Sequence, residues 1–409
     1  MIMRSVMRPS PAAMLPLLLA LAALPRAAAA QEPPAVDPIE SMPVRFGPLG
    51  LAPSIQITNV GIESNVFNEP DHPRSDFTAT IAPSLVARLR AGRVVLGYTA
   101  SSGMVYFRKF HGERSMNGST DLRADFNLGA IQPFVTGSFV RTRERPNAEI
   151  DARAHRSQPA YSAGVTMNLA SRTALVLTVR RQDVKYDADE RTRSGVALAP
   201  ALNERITSGD VALRVKVSPF TTVSVVGSVQ QDRFVFASDR DADSVRILPT
   251  IEFAPEALLN GSFGIGYRRF RTLDPAVPDY AGLLMRAGVG WTLLGVTKVD
   301  LALSRDVQYS FEAATPFYVQ TIAGLTITQA LGAGIDVRAV ANRQTLAYQA
   351  AGDAEGRTDH VDLVGAGTGY RFRGKMRLGI NWDYARRRSA ESDRQYVSRR
   401  LYASLTFGT

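Results

Sequence analysis

Cysteine is missing from all 409 residues. That excludes a disulfide-stapled secreted domain and a lipoprotein. Histidine is almost as scarce, and His72, His111, His155 and His360 share no spacing that suggests metal ligation. Gly-rich phosphate loops, nucleophile elbows and metal motifs are absent too. Beyond the first thirty residues no apolar run is long enough for a helical membrane span, although 45% of the chain is hydrophobic. So much apolar content without a long run has to be spread in short periods.

Residues 1–30 read as a cleaved secretory signal. Arg4 and Arg8 supply the charged start, AAMLPLLLALAALP (12–25) the short apolar centre, and Ala28-Ala29-Ala30 the small-residue cleavage site. Cleavage lowers the formal charge from +10 to +7. Export argues against nucleic acid as the partner of this basic balance and in favour of anionic polymers or lipopolysaccharide-rich surfaces. Residues 31–50 are Pro-rich, without periodicity, and read as a periplasmic lead-in to a domain over 51–409.

The short periods are clearest in AGLLMRAGVGWTLLGVTKVDLALSRDVQY (281–309). Ala281, Leu283, Met285, Ala287, Val289, Trp291 and Leu293 form one phase; Gly282, Arg286, Gly288, Gly290 and Thr292 form the other, with Leu284 as the exception. Leu294-Gly295 reverses the chain, and the pattern resumes with Val299, Leu301, Leu303 and Val307, broken at Arg305. A period of two is a strand signal. Each arm is long enough for the roughly 9–11 tilted residues that cross a bilayer.

The same unit recurs, giving eighteen predicted strands: 51–67, 76–90, 93–110, 115–128, 131–142, 159–169, 173–186, 206–217, 220–236, 244–255, 258–271, 279–293, 296–311, 315–331, 333–348, 361–372, 375–388 and 393–407. Tight reversals such as Ala91-Gly92, Gly129-Ala130, Ser218-Pro219 and Arg373-Gly374 alternate with long polar connections at 143–158, 187–205, 237–243 and 350–360. The expected fold is all-β: a transmembrane antiparallel outer-membrane barrel of sixteen to eighteen strands, with both termini on the short-turn side. A soluble propeller or β-helix is the structural rival. Strand length, loop asymmetry and a C-terminal run (Leu401, Ala403, Leu405, Phe407) like that of barrels inserted by the outer-membrane assembly machinery oppose it. Gly408-Thr409 follow Phe407, whereas such strands commonly end on the aromatic.

Phe126, Phe134, Phe220, Phe253, Phe263, Trp291, Phe372 and Phe407 lie where strands approach short turns and are assigned to a periplasmic aromatic girdle. The polar phase carries fourteen basic positions: Arg88, Arg90, Arg123, Arg141, Arg180, Arg214, Lys216, Arg246, Arg268, Arg286, Arg338, Arg371, Arg377 and Arg400. Against them stand seven acids, Asp125, Asp210, Glu252, Asp300, Asp306, Asp336 and Asp383. Two readings stand side by side: a cationic pore wall that attracts anions, or a web of Arg–Asp cross-strand pairs that stiffens the barrel. Arg214, Lys216, Arg268, Arg286, Arg338 and Arg377 are taken as the lumen-lining cations. Glycines on that phase (264, 266, 288, 290, 365, 367, 369) keep the lumen open or let strands coil.

No cofactor, structural metal or catalytic group is expected. Asp71-His72 and Asp359-His360 read as loop residues rather than rim dyads, and the alternating acids Asp239, Asp241 and Asp243 are only a weak calcium pattern. With no plug domain before the barrel, inward-folded outer loops such as 187–205 are the candidates for a constriction.

Pro53-Ser54-Ile55, Glu63-Ser64-Asn65-Val66-Phe67, Ser75-Asp76 and Pro83-Ser84-Leu85, followed by Tyr98 and Tyr106-Phe107, resemble the opening of the putative beta-barrel porin family. The match covers about the first sixty residues of the barrel; beyond it the likeness is architectural. The resemblance implies a barrel for exopolysaccharide export or passive diffusion, and carries over no catalytic residue. The expected function is an outer-membrane channel for a polysaccharide or for small, preferentially anionic solutes. The alternative is a structural or surface-interaction barrel with a closed lumen.

Overall fold

The computed structural model describes residue 39 and residues 42–408, apart from 256, 353 and 373–375. The expected signal peptide, most of the expected lead-in and the Arg373-Gly374 reversal lie outside the described residues. Nineteen strands are seen: β1 Val44–Phe46, β2 Leu49–Glu63, β3 Asp76–Ala91, β4 Val94–Phe107, β5 Ser115–Phe126, β6 Ile131–Thr142, β7 Arg156–Ala170, β8 Thr173–Tyr186, β9 Glu204–Ser218, β10 Thr221–Phe234, β11 Ala242–Phe253, β12 Leu259–Thr272, β13 Tyr280–Leu293, β14 Thr297–Tyr309, β15 Phe317–Gly332, β16 Ile335–Gln349, β17 Thr358–Phe372, β18 Met376–Arg388 and β19 Tyr396–Phe407. Each of β2 to β19 corresponds to one predicted strand, and 131–142 and 173–186 agree to the residue.

Strands β2 to β19 pair antiparallel in sequence order, and β19 returns to β2 through Arg400↔Glu63 to Phe407↔Ile55, which closes the cylinder. The closing seam carries a bulge, where Asn59 takes φ 54°. Below the end of β19, β1 takes over the free edge of β2, with Phe46 opposite Leu49. Eight short connections lie at the end where β2 begins and β19 ends, and nine longer ones lie at the other, which fixes the periplasmic and outer ends. Leu294 and Gly295 both take positive φ (51° and 70°), the left-handed backbone that a tight hairpin turn uses. No helix among the described residues is long and apolar enough to cross a membrane; the crossing is made by strands.

Pairing registers assign every side chain to a face. Through the periplasmic half, outward residues are apolar and exposed, as with Phe263, Ile265, Leu378, Ile380 and Trp382. Inward ones are small or polar. Near the outer end the pattern inverts. Phe107, Val184, Tyr186, Phe234, Phe270, Leu346 and Tyr348 face inward and are buried.

One hairpin leaves the cylinder. The β13–β14 ladder ends at Met285↔Arg305, while β14 and β15 continue pairing to Tyr309↔Phe317. Freed from β13, the outer end of this hairpin leans onto the inner face of β10–β12. Phe270 meets Tyr309 and Phe317 at ring distances of 5.8 and 5.1 Å, and the Tyr309 hydroxyl donates to Asp232 at 2.9 Å. Val307 and Phe317, on the outward phase of their strands, are buried by this overlap.

Candidate functional site: the lumen and its outer plug

In NAEIDARA (147–154) every second residue is apolar, from Ala148 to Ala154, with Glu149, Asp151 and Arg153 between. A solvated loop has no reason for such spacing. The β6–β7 connection runs into the barrel and reaches the opposite wall. Ile150 and Ala154 pack with Val184, Tyr186, Phe234 and Phe311, under a short helix α1 (Leu198–Leu202) contributed by the β8–β9 connection. Ala148 packs at Tyr318, Leu346 and Tyr348 on β15 and β16.

Charge locks this strap. Arg387 on β18 is fully buried, holds Asp359 at 2.6 Å, donates to the Ala148 carbonyl at 2.8 Å and lies 3.4 Å from Asp151. Glu149 accepts from the Ser310 hydroxyl and, at 3.3 Å, from the Phe311 N–H. Arg240 holds the carbonyls of the same two residues from the other side. On the near wall Arg153 stacks on Phe107 at 4.7 Å and pairs with Glu113 at 3.5 Å, while Arg145 and Arg153 both donate to the Val66 carbonyl. Above the strap, Arg193 ties the β8–β9 connection to the Asn68 and Asp393 carbonyls. The two connections together plug the outer mouth. The connection 187–205, expected to fold inward, does so through α1, and 143–155 folds inward with it.

Burial pushes the Glu149 carboxyl up to about 7, against the pull of Ser310, Arg394, Arg387 and the Phe311 N–H. Burial also raises Asp151, opposed by Arg387. Arg153 is lowered to about 10 by burial and by the like charge of Arg145, with Glu63 and Glu113 opposing. A recess of about 330 Å³ opens against the strap, lined by Glu63, Phe107, Arg143, Arg145, Arg153 and Arg400 among others.

Below the plug, the six cations assigned to the lumen divide. Arg214 pairs with Glu252 at 2.5 Å, Arg377 grips Asp336 at 2.5 Å, and Arg268, 5% exposed, pairs with Asp306 at 2.6 Å. Arg286 and Arg338 face inward, exposed and without an ion pair among the described residues. Lys216 faces inward in the register of Thr222. All seven acids singled out in the sequence sit near a cation, the remaining pairs being Arg123–Asp125, Arg246–Asp210, Lys298–Asp300 and Arg400–Asp383. The glycines explain how. Arg377 reaches Asp336 by lying over Gly369 on the intervening strand, where a Cβ would collide with its guanidinium.

Two positions require correction. Phe134 is not on the lipid side: it pairs with Asp125, lies under Arg123 at 4.3 Å, and rests on Gly164, where a Cβ would strike its ring. Proximity to a turn suggested the girdle; its phase places it inside. Arg141, opposite Gly118, faces outward at the rim and pairs with Asp187. Phe126, Phe253, Phe263, Trp291, Phe372 and Phe407 face outward, and Phe220 lies exposed in the β9–β10 turn.

Asp359 and His360 point apart, to Arg387 and Thr345. Asp241 caps the Phe234 N–H and Asp243 pairs with Arg233. Among the described residues no group of three or more His, Asp or Glu could hold a metal ion.

No curated protein sequence matches the chain. Solved structures similar to it include OpdK of Pseudomonas aeruginosa with vanillate, 9% identical, TM-score 0.47, covering 87% of this chain and 98% of that one. OccAB3 of Acinetobacter baumannii is also 9% identical at TM-score 0.47, covering 87% and 99%. The FrpB iron transporter of Neisseria meningitidis is 10% identical at TM-score 0.42, and the match covers 83% of this chain but only 62% of the transporter. The family model described as Putative beta-barrel porin 2 matches residues 37–408. With a closed cylinder of eighteen strands and that match over nearly its whole length, the chain belongs to the Putative beta-barrel porin 2 family of outer-membrane barrels.

Proposed function

We propose that the protein is a gated channel for anionic solutes or for an anionic exopolysaccharide, exported to the outer membrane by its signal peptide and inserted there by the barrel assembly machinery. No chemistry on the solute belongs to this reading. One observation carries it. Below the outer strand ends, Arg88, Arg180, Arg286, Arg338 and Arg371 face inward without an ion pair among the described residues, against one such acid, Asp121. An unpaired cation on a water-filled wall raises the local concentration of anions, and charged linings set selectivity.

Reversal potentials in a salt gradient test it, on the wild type and on a variant whose residues 144–153 are replaced by a short Gly-Ser link. Anion preference is expected, fading from 0.1 M to 1 M salt as the Debye length falls from about 10 Å to about 3 Å. Arg286→Gln with Arg338→Gln should weaken it. A cation-selective channel refutes the anion reading. The plug itself favours the second reading, a structural barrel with a closed lumen. That reading wins if the link variant folds but does not conduct.

A further inference from the structure

The outward face is asymmetric along the barrel axis. In the periplasmic half, no strand carries a charged residue on that face among the described residues. In the outer half, cations follow directly on the apolar series. On β12, Phe263, Ile265 and Tyr267 lead to Arg269 and Arg271. On β18, Ile380, Trp382 and Tyr384 lead to Arg386, and on β19 Leu401 leads to Arg399. All four arginines are exposed and make no ion pair among the described residues. The acids opposite them are already engaged: Asp243, across from Arg271, is held by Arg233 at 2.6 Å, and Asp362, across from Arg386, is shared by Arg343 and Arg388, each at 2.7 Å.

An outward arginine costs roughly 2–4 kcal/mol at the bilayer midplane and about 0–1 kcal/mol near the interface. Tyr and Trp just below mark where that interface lies. The four guanidiniums therefore sit at headgroup level of the outer leaflet. Arg269 and Arg271, two residues apart on one strand, stand roughly 7 Å from each other, and each presents a fork that matches a phosphate bidentately.

We propose that these two patches, Arg269–Arg271 and Arg386–Arg399, bind the phosphate groups of a phosphorylated glycolipid of the outer leaflet. Exposed donors that the protein leaves unneutralised, at one headgroup level only, fit a partner confined to one leaflet. A dianionic phosphate satisfies two adjacent forks where a zwitterionic headgroup cannot.

The test uses the full-length barrel in detergent micelles, titrated with diphosphoryl lipid A, monophosphoryl lipid A, phosphatidylglycerol or inorganic phosphate, with bound lipid counted by native mass spectrometry. Diphosphoryl lipid A should bind at least tenfold more tightly than the monophosphoryl form, less so as salt rises. Replacing all four arginines with glutamine should remove that advantage, and replacing them with lysine should retain most of it. The pair variants R269Q/R271Q and R386Q/R399Q should each lose part, which keeps the test open if the quadruple variant folds poorly. Equal binding by the glutamine variants overturns the assignment. So does equal binding of phosphatidylglycerol, or displacement of the lipid by an equal concentration of inorganic phosphate.

Discussion

Along β12, Phe263, Ile265 and Tyr267 face outward and Gly264 and Gly266 inward; a few residues further, Arg269 and Arg271 face outward and Phe270 is buried inside. The strand has not changed its register between these stretches. Its surroundings have. The periplasmic half has hydrocarbon outside and water inside, so its apolar side chains point out. The outer half has headgroups and water outside and a folded strap inside, so its apolar side chains point in, as in a soluble protein. Inside and outside are thus chemical rather than geometric terms, and the level at which they exchange marks the outer limit of the hydrocarbon and the lower limit of the plug.

The largest break in this comparison comes from emptying the outer half. Replacing 144–153 by the Gly-Ser link removes Ile150, Arg153 and the Ala148 and Asp151 contacts of Arg387. Bilayer conductance should rise at least tenfold over a nearly silent wild type. No change in conductance would show that the strap does not limit flow.

A smaller effect comes from one residue. Arg387→Ala leaves the buried Asp359 with only Arg357, at 3.6 Å, and breaking a buried pair costs about 3–5 kcal/mol. Arg123→Ala in the lower wall, where both partners are exposed, should cost less than about 1 kcal/mol. Chemical denaturation of the two variants in micelles measures the contrast, and R387A should also show intermittent channel opening. Equal destabilisation would mean that the outer half is not a protein core in the sense argued above.

The smallest effect is a pH response. The closed plug raises Glu149 to about 7, above the ordinary carboxylate value of 4.5 that it would regain in an opened, hydrated strap. A raised pKa means that the closed form binds the proton more tightly. Its contribution is full below about pH 4.5 and is lost as pH rises through 7, a bias on the order of 3 kcal/mol. The cations facing it (Arg387, Arg394 and Arg240) keep their charge through this window. Open probability should therefore increase from pH 5 to pH 8, and Glu149→Gln should flatten the response. Opening at acid pH instead would reverse the assignment.

The cylinder was readable because alternation is written into each strand independently: Phe263, Ile265 and Tyr267 declare their face without reference to anything distant. The strap was not, because its partners lie far along the chain. NAEIDARA alternates as a strand does, yet it is a strap, and only Arg387 and Tyr318 across the lumen explain its apolar positions. Phe134 sits near a turn as the girdle residues do, but its phase, opposite Asp125, turns it inward. The tuck of the β14–β15 hairpin had one sign in advance: Arg305 interrupts the apolar phase where the ladder with β13 ends, and it bonds Thr321 on the neighbouring strand.

The reach of the strap also has a consequence in time. Arg387 meets Ala148 across 239 residues of sequence, and Ser310 meets Glu149 across 161. Contacts so distant in sequence form late, since loop closure must precede them. Until β17 and β18 have taken their places, residues 143–155 have nothing to lock against. The strap therefore locks only after β17 and β18 are in place, and the Arg400↔Glu63 seam, which spans still more of the chain, is a separate closure that the strap does not need.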